Sequence, residues 1–328
     1  MAGQTWKQIL ETDTRDDESK SDSRREGHLE IVIASSPSRC GNWLFKRVLA
    51  PLGVATGAIA SITPAQALQV QITPTSPQLG DTISVVVRQD NPAVSSSPRV
   101  TLGNQTFDTY LIGPNRFRAL LPTTPLDKPG TLNIQVAGEG QVKNLAVRLR
   151  DRSFPTQRIW LPPGKDEDIS DAEFNRVDAF KRLVTPQKLW NGPFLRPNQG
   201  EITTIYGIRR YYNGVFANDY YHSGVDYAGA TGSPVVAAAA GRVALVGRES
   251  QGFKINGNVV GLDHGQGVQT IYLHLSRINV KEGDMVRAGQ VIGAVGSSGA
   301  STGPHLHWGL YVQGKAVDPV PWRYQGLE

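Results

Sequence analysis

Histidine, an efficient metal ligand and proton carrier, is concentrated in one stretch of this sequence. Five of the six histidines lie between residues 222 and 307, namely His222, His264, His274, His305 and His307. Histidine and carboxylate side chains are the usual ligands of catalytic zinc, which takes three protein ligands and keeps a fourth position for water. The clustering therefore suggests a metal site to which several of these imidazoles contribute.

The segment Pro304-His305-Leu306-His307-Trp308 places two histidines at positions i and i+2. The apolar Leu310 and Val312 continue the alternation, which predicts a strand. Alternate residues of a strand project from the same face, with Cα atoms about 6.6 Å apart. His305 and His307 can therefore serve one site.

A second motif, His222-Ser223-Gly224-Val225-Asp226, separates an imidazole and a carboxylate by four positions. A straight strand would hold these two residues up to about 13 Å apart, too far to share one ion easily. A bend at Gly224 would close the gap. The rival geometry is a helix, but Gly224 and Val225 are poor helix formers and no His-Glu-x-x-His motif is present.

The two remaining histidines of the cluster differ in their surroundings. The alternation of Tyr272-Leu273-His274-Leu275-Ser276 predicts a strand in which His274 lies on the polar face. His264 is followed by Gly265 and Gly267, which predicts a hairpin turn and a structural role for its ring. Any one of these histidines alone would more often be a satisfied polar residue in a sheet, so the site prediction rests on the joint pattern.

The elements that must position these residues are predicted to be mainly β, because 35 Gly and 21 Pro favour short strands and many turns. A chain of 328 residues predicts about two domains. Residues 68–150 alternate apolar and polar positions between turn clusters, which predicts an immunoglobulin-like β-sandwich. No cluster of chemistry-bearing side chains occurs there, so we interpret this domain as a binding, spacing or covering module.

A linker at residues 151–190 is predicted to contain one helix. Ser170 and Glu173 are spaced as a capping box, and Thr185-Pro186 ends the pattern. The apolar positions of this helix are Phe174, Val177, Phe180 and Leu183. The β-rich region that follows, residues 191–328, contains every candidate site residue.

Residues 1–67 are predicted to be a polar N-terminal segment followed by a secretory signal peptide. Lys46-Arg47, the apolar run 48–62 and Ala65-Gln66-Ala67 have the order of charged, apolar and cleavage regions, which predicts cleavage after Ala67. The alternative is an uncleaved membrane anchor, but the run is shorter than the ~20 residues that span a bilayer. We therefore expect export to the periplasm or cell envelope.

Three motifs in this order resemble the lysostaphin/LytM-type zinc metallopeptidases, which cleave peptidoglycan peptides. The resemblance covers roughly Leu189 to Trp322 and rests on residues 222–226, on 272–275 and on 296–307. The segment 206–210 also resembles the Phe-Gly-x-Arg segment of that family, with tyrosine in place of phenylalanine. The resemblance implies a LytM-type antiparallel β-sheet metallopeptidase domain and one zinc ion (Zn2+) per chain. The implied zinc ligands are His222, Asp226 and His307, and the implied non-ligand catalytic histidines are His274 and His305.

The function that the resemblance implies is that of a zinc-dependent endopeptidase hydrolysing peptide cross-links of peptidoglycan. Which bond is cut, and which of His274 and His305 is the base, are left open. The net charge of +5 suits an anionic wall polymer and is also common for solvation alone, and no nucleic-acid partner is predicted.

Two alternatives belong to other functional classes. The first is an inactive regulator of the same fold that activates another hydrolase, with cell-wall proteins as its partners. Such regulators are expected to lose ligands, whereas all five positions are kept here. The second is a lipoyl- or biotinyl-carrier-like domain, whose Gly-rich hairpins residues 280–284 and 288–293 resemble. That function needs a lysine at a hairpin tip beside small or Met residues, which the sequence lacks.

Overall fold

The computed structural model describes residues 68–89, 96–160 and 169–325. The predicted polar segment, signal peptide and cleavage point at residues 1–67 lie outside these ranges. Within them the chain is mainly β, as its composition predicts, with two short α-helices. Neither helix is long and apolar enough to cross a membrane.

The first folded region is built from short strands with the predicted period of two. Its strands are β1 (Gln69–Thr73), β2 (Thr82–Arg88), β3 (Arg99–Leu102), β4 (Gln105–Phe107), β5 (Tyr110–Gly113), β6 (Arg116–Pro122), β7 (Gly130–Gly138) and β8 (Gln141–Leu149). They form two four-stranded sheets, ordered β1-β2-β6-β5 and β4-β3-β7-β8. Val85 from the first sheet and Val100 and Val136 from the second are fully buried in one shared core. The immunoglobulin-like assignment and the boundary at residue 150 stay predictions.

Helix α1 (Asp171–Lys181) begins where the capping sequence predicts. The Ser170 side chain accepts a hydrogen bond from the backbone N–H of Glu173 at 3.1 Å, which satisfies one of the free donors of the first turn. Val177 and Phe180 are buried in the core of the region that follows. The Glu173 carboxylate accepts hydrogen bonds from a loop of that region, so the predicted box is used in one direction only.

The second folded region contains, besides a short 3₁₀ helix at Glu249–Gln251, the remaining strands and a second α-helix. They are β9 (Thr156–Ile159), β10 (Ile202–Thr204), β11 (Arg209–Tyr212), β12 (Val215–Phe216), β13 (Gly224–Ala228), β14 (Pro234–Val236), β15 (Gly241–Gly247), β16 (Val259–Gly265), β17 (Val268–Leu273), β18 (Arg277–Ile278), β19 (Met285–Val286), β20 (Val291–Ala294), β21 (His305–Val312), β22 (Lys315–Val317) and α2 (Pro319–Trp322). The largest sheet has eight strands, ordered β10-β13-β21-β17-β16-β15-β19 with β22 added to β21. Strands β17 and β21 lie at its centre, and nearly all their residues are buried.

Two three-stranded sheets also belong to this region. In one, ordered β12-β11-β9, β9 runs parallel to β11 and pairs Gln157 with Arg210. The other has the order β14-β20-β18. The segment that follows the first folded region is therefore part of the architecture around β11.

Polar side chains join the first folded region to the second. The buried Arg118 donates to Oε1 of Gln266 at 2.7 Å, and the indole N–H of Trp322 donates to the Thr82 hydroxyl at 3.1 Å. A buried hydrogen bond is costly to leave unmade, so these contacts favour a fixed arrangement of the two regions.

Candidate active site

The pairing of β13 with β21 sets the position of a carboxylate opposite an imidazole. In this antiparallel register Asp226 is the direct partner of His307, and Ala228 is the partner of His305. Directly opposed residues in such a pair have Cβ atoms about 4.5–5.5 Å apart, close enough for side chains to meet. The predicted strand at residues 304–308 is confirmed as the start of β21.

His222 joins this pair from the segment just before β13. Its backbone N–H donates to the carbonyl of Ile208 at 2.8 Å, and its carbonyl accepts from Gly207. The bend predicted at Gly224 is absent in the form of a left-handed backbone conformation at this residue. Gly224 instead begins β13 and allows this strand to pack closely against β21. A Cβ there would lie 2.3 Å from the carbonyl oxygen of Trp308, so only glycine lets the two strands approach this closely.

Three side-chain atoms converge at this point. Nε2 of His222 lies 3.0 Å from Oδ1 of Asp226 and 3.0 Å from Nδ1 of His307, and the latter two atoms are 2.9 Å apart. All three residues are buried. Among the described residues they form a group whose ligand atoms could hold one metal ion.

The hydrogen-bonding roles of these atoms would suit a cation between them. Nδ1 of His222 lies 2.8 Å from the carbonyl of Ile205, so the neutral ring donates from Nδ1 and carries a lone pair on Nε2. Burial lowers the pKa of His222 to about 4, against the opposing effect of Asp226. Burial alone would raise the pKa of Asp226, but His222 and His307 hold it well below its usual value. Two acceptors thus face each other at 3.0 Å, an arrangement that suits the nitrogen and oxygen ligands of zinc.

His274 and His305 lie beside this triad, with ring centroids 4.8 Å apart. Nδ1 of His274 donates to the carbonyl of Ser298, and Nδ1 of His305 donates to the carbonyl of Gly303, each at 2.8 Å. Each neutral ring therefore keeps a lone pair on Nε2. Nε2 of His305 is 4.0 Å from Oδ1 of Asp226. Burial, followed by the neighbouring His305 and His307, lowers the pKa of His274 to about 3.

The five residues line a groove of about 550 Å³. One wall comes from β9 and the residue after it, including Gln157 and Trp160, and another comes from Thr203 and Thr204. A smaller cavity of about 190 Å³ also reaches His274 and His307 and is lined by helix α1. Elements before residue 191 therefore contribute to the surroundings of the site.

The structure corrects the predicted strand at residues 272–276. Strand β17 ends at Leu273, and His274 has a left-handed backbone with φ of 62°. The N–H groups of His274 and Leu275 donate to the carbonyls of Asn256 and Asn258 in a loop, so they are not part of a ladder. The alternation of apolar residues could not reveal this bend, because Leu275 is buried on either path.

His264 is placed away from the groove, in agreement with the structural role predicted for it. It is fully buried near the end of β16, with Nδ1 donating to the carbonyl of Ala240 at 2.8 Å and Nε2 accepting from the Thr270 hydroxyl at 2.7 Å. Both ring nitrogens are satisfied within the sheet. This ring has no free position for a ligand.

Arg210 is a site residue that the sequence reasoning did not single out. Its guanidinium lies 3.7 Å from Oδ2 of Asp226 and also contacts Gln157 and the hydroxyl of Tyr212. The sequence indication for Arg210 was its place in residues 206–210, the segment that resembles the Phe-Gly-x-Arg segment of the family. Gln157 gave no signal, because its proximity depends on the pairing of β9 with β11.

Comparisons with known proteins cover mainly this second region. The sequence profile described as Peptidase family M23 matches residues 220–319. DD-carboxypeptidase/endopeptidase Mpg of Neisseria meningitidis is 48% identical over 99 residues, which are 30% of this chain and 22% of that protein. This chain thus matches only about a fifth of that relative's length.

Two solved structures extend the comparison. The catalytic domain of the antimicrobial peptidase lysostaphin from Staphylococcus simulans is 37% identical, covers 38% of this chain and 92% of that one, and has a TM-score of 0.33. A putative peptidase M23 from Pseudomonas aeruginosa is 26% identical, with a TM-score of 0.56 over 76% of this chain and 95% of that one. The profile match and the sequence identity over nearly all of the lysostaphin domain identify the relationship: the chain belongs to peptidase family M23.

Proposed function

We propose that the chain is a zinc-dependent endopeptidase that hydrolyses peptide cross-links in bacterial peptidoglycan. The observation that carries the proposal is the convergence of His222, Asp226 and His307 beside two further imidazoles in one groove. The names of its relatives support the substrate class, since one is called a DD-carboxypeptidase/endopeptidase and another an antimicrobial peptidase. Because the matched part is a small share of the first relative, the activity of the whole chain is part of the proposal.

The metal ligands in this proposal are His222 through Nε2, Asp226 through Oδ1 and His307 through Nδ1. The fit rests on two acceptor atoms that face each other without a hydrogen between them. When bound there, zinc would supply a Lewis acid that polarises a carbonyl and lowers the pKa of water. Arg210, at 3.7 Å from the other carboxylate oxygen, favours the ionised form that a ligand must have.

His274 and His305 are the proposed proton carriers of the reaction. Each ring is fixed by an Nδ1–H donated to a backbone carbonyl, so Nε2 is the atom that can take and return a proton. One ring would accept the proton of the attacking water and pass it to the leaving amine. The other ring, when Nε2 carries a proton taken from solvent before the substrate reacts, would donate a hydrogen bond to the developing oxyanion. A side chain in such a role contributes about 10²–10⁴ in rate.

The test is digestion of purified wall sacculi by the metal-loaded chain, with products identified by mass and metal content measured by elemental analysis. Soluble peptide-linked fragments and close to one zinc per chain are expected. The masses also identify the bond, which the sequence leaves open. A chain that binds zinc, fails on every wall type and instead stimulates another wall hydrolase would support the regulator.

Export is part of the same proposal, because the substrate lies outside the cytoplasm. We expect the mature protein to begin at Leu68, since Ala65 and Ala67 provide the small residues that signal peptidase requires. N-terminal sequencing of the exported protein checks this. A mature start upstream of Val48, or retention of the whole chain in the cytoplasm, would remove the argument for a wall substrate.

A further inference from the structure

Glu173 is a buried carboxylate outside the segment that the family profile matches. It lies in the first turn of α1 and has no exposed surface. Its oxygens accept hydrogen bonds from the backbone N–H groups of Ile255 and Asn256, at 3.2 and 2.7 Å, and from the Asn256 side-chain amide at 2.8 Å. A carboxylate is seldom fully buried unless it has hydrogen-bond or charge partners, so the burial of Glu173 points to a role for its contacts with the loop.

The start of helix α1 is attached to the same loop at a second point. The Ser170 hydroxyl donates to the carbonyl of Gly252 at 3.0 Å while it accepts from the N–H of Glu173. Burial raises the pKa of Glu173, against the opposing effect of the hydrogen bonds from the loop. Two side chains of one helix turn therefore fix the course of residues 252–256.

That loop in turn fixes the backbone around His274. The N–H of His274 donates to the carbonyl of Asn256 at 3.1 Å, and the N–H of Leu275 donates to that of Asn258 at 3.0 Å. The Asn258 side-chain amide returns a hydrogen bond to the carbonyl of Leu275 at 2.8 Å. A left-handed backbone is unfavourable for a non-glycine residue, so His274 needs such external support to keep its φ of 62°.

We infer that Glu173 is a positioning residue for the proposed reaction, acting through the loop of residues 252–258 to hold His274 in the groove. The inference rests on the proposed function for its effect on turnover. It assigns a role in the active site to helix α1, which precedes the segment that the family profile matches. His305 does not depend on this support, because it is held by β21 and by the carbonyl of Gly303.

The main experiment is Glu173→Gln in the full chain loaded with zinc. The substitution keeps the size of the side chain but turns an amide N–H toward backbone donors, so one arm of the contact is lost. We expect kcat to fall about 10–100-fold, the effect of a small displacement of a reacting group, with KM within about twofold of the unchanged chain. The zinc content should stay near one per chain, because the three ligands lie on other elements.

Amide hydrogen exchange gives a readout that needs no substrate. Faster exchange is expected at the N–H groups of His274 and Leu275, with the amides of β21 unchanged. If the unchanged chain cleaves no wall, the proposed function fails while the exchange measurement still tests the inference. Unchanged exchange at both amides, or unchanged kcat despite faster exchange, would overturn the positioning role.

Asp263→Asn is the matched control for a purely structural effect. Asp263 is another fully buried carboxylate, bonded to Gly265 and Thr185, and it contacts neither His274 nor the loop that supports it. It should lower stability without changing kcat below the unfolding temperature; an equal loss of kcat would overturn the inference. If Glu173→Gln does not fold, Ser170→Ala is the substitute, because it removes the hydrogen bond from the start of helix α1 to Gly252 in the same loop. A severalfold loss of kcat is expected for it. No loss in that variant would also count against the inference.

Discussion

The histidines of the site are held in two different ways. His305 and His307 belong to β21, whose register with β13 fixes both side chains relative to Asp226. His274 lies one residue beyond the end of β17 and depends on hydrogen bonds from loops. A strand ladder positions several side chains with one set of backbone bonds, whereas a bend needs dedicated partners. We therefore expect Asp226, His305 and His307 to be less sensitive to distant changes than His274.

The largest expected effect comes from His307→Ala. This change leaves two protein ligands for an ion that normally keeps three in catalytic sites, so zinc and activity should be lost together. Elemental analysis and a wall-hydrolysis assay measure both. His264→Asn, in the same sheet but away from the groove, is the control and should keep zinc. A His307→Ala chain that retained one zinc would remove His307 from the ligand set.

His305→Ala tests the other histidine of the same strand. It should keep close to one zinc per chain and lose about 10²–10⁴ in turnover, equivalent to about 3–5 kcal/mol of transition-state stabilisation. The same two assays distinguish it from His307→Ala. If zinc were lost as completely as in His307→Ala, both histidines would have to be assigned to the metal.

The shared position of His305 and His307 on β21 could be predicted from the sequence, because side chains of a strand alternate between its two faces. The i, i+2 spacing of His305 and His307 fixes a shared face once the strand is recognised. A bend at Gly224 is the sequence-based explanation for bringing His222 near Asp226, but this glycine has no left-handed backbone and instead lets β13 approach β21 closely. His222 is held by backbone hydrogen bonds with Gly207 and Ile208, which the spacing does not reveal.

The support of His274 could not be predicted in this way. Its bend depends on carbonyls of Asn256, Asn258 and Ser298, which are far from it in sequence and carry no periodic signal. Glu173 was recognised only as half of a capping box, because local spacing explains it without the tertiary contact. A predicted catalytic region beginning at residue 191 leaves that helix out, since sequence position alone does not show which elements share a site.

The pH dependence of stability extends the comparison to His264, a buried histidine whose two ring nitrogens both have hydrogen-bond partners. Burial lowers the pKa of His264 to about 4, below the ~6.5 of an unfolded chain. Between these two pH values the folded state binds fewer protons at His264 than the unfolded state does. The contribution of His264 to the free energy of unfolding is therefore fully present above about pH 6.5 and is lost as the pH falls toward 4. The contribution of this one group is roughly 3 kcal/mol.

Urea unfolding from about pH 7 to about pH 4.5 measures this contribution as a difference between two chains. His264→Asn keeps a donor for the Ala240 carbonyl but has no imidazole, so its free energy of unfolding should fall less steeply with decreasing pH. The difference in slope should approach one proton. Parallel pH profiles for the two chains would show that folding does not lower the pKa of His264.

The smallest expected effect, Gly224→Ala, is the one that tests the ladder itself. The added Cβ would lie 2.3 Å from the carbonyl oxygen of Trp308 and 2.9 Å from Nε2 of His307, so β13 must move away from β21. Such overpacking costs about 1–3 kcal/mol of unfolding free energy. Because the same strand pair sets Asp226 opposite His307, zinc affinity should also fall, by about 10–100-fold as for changes that displace ligands.

Gly113→Ala is the control, since a Cβ there meets no atom within 4 Å. That control should change the free energy of unfolding by at most about 0.5 kcal/mol, as is usual for a surface substitution. Chemical unfolding and competition with a zinc chelator measure the two quantities. Unchanged zinc affinity in Gly224→Ala would mean that the ligand geometry does not depend on the close approach of these strands, and the two ways of holding histidines would then not differ as the structure indicates.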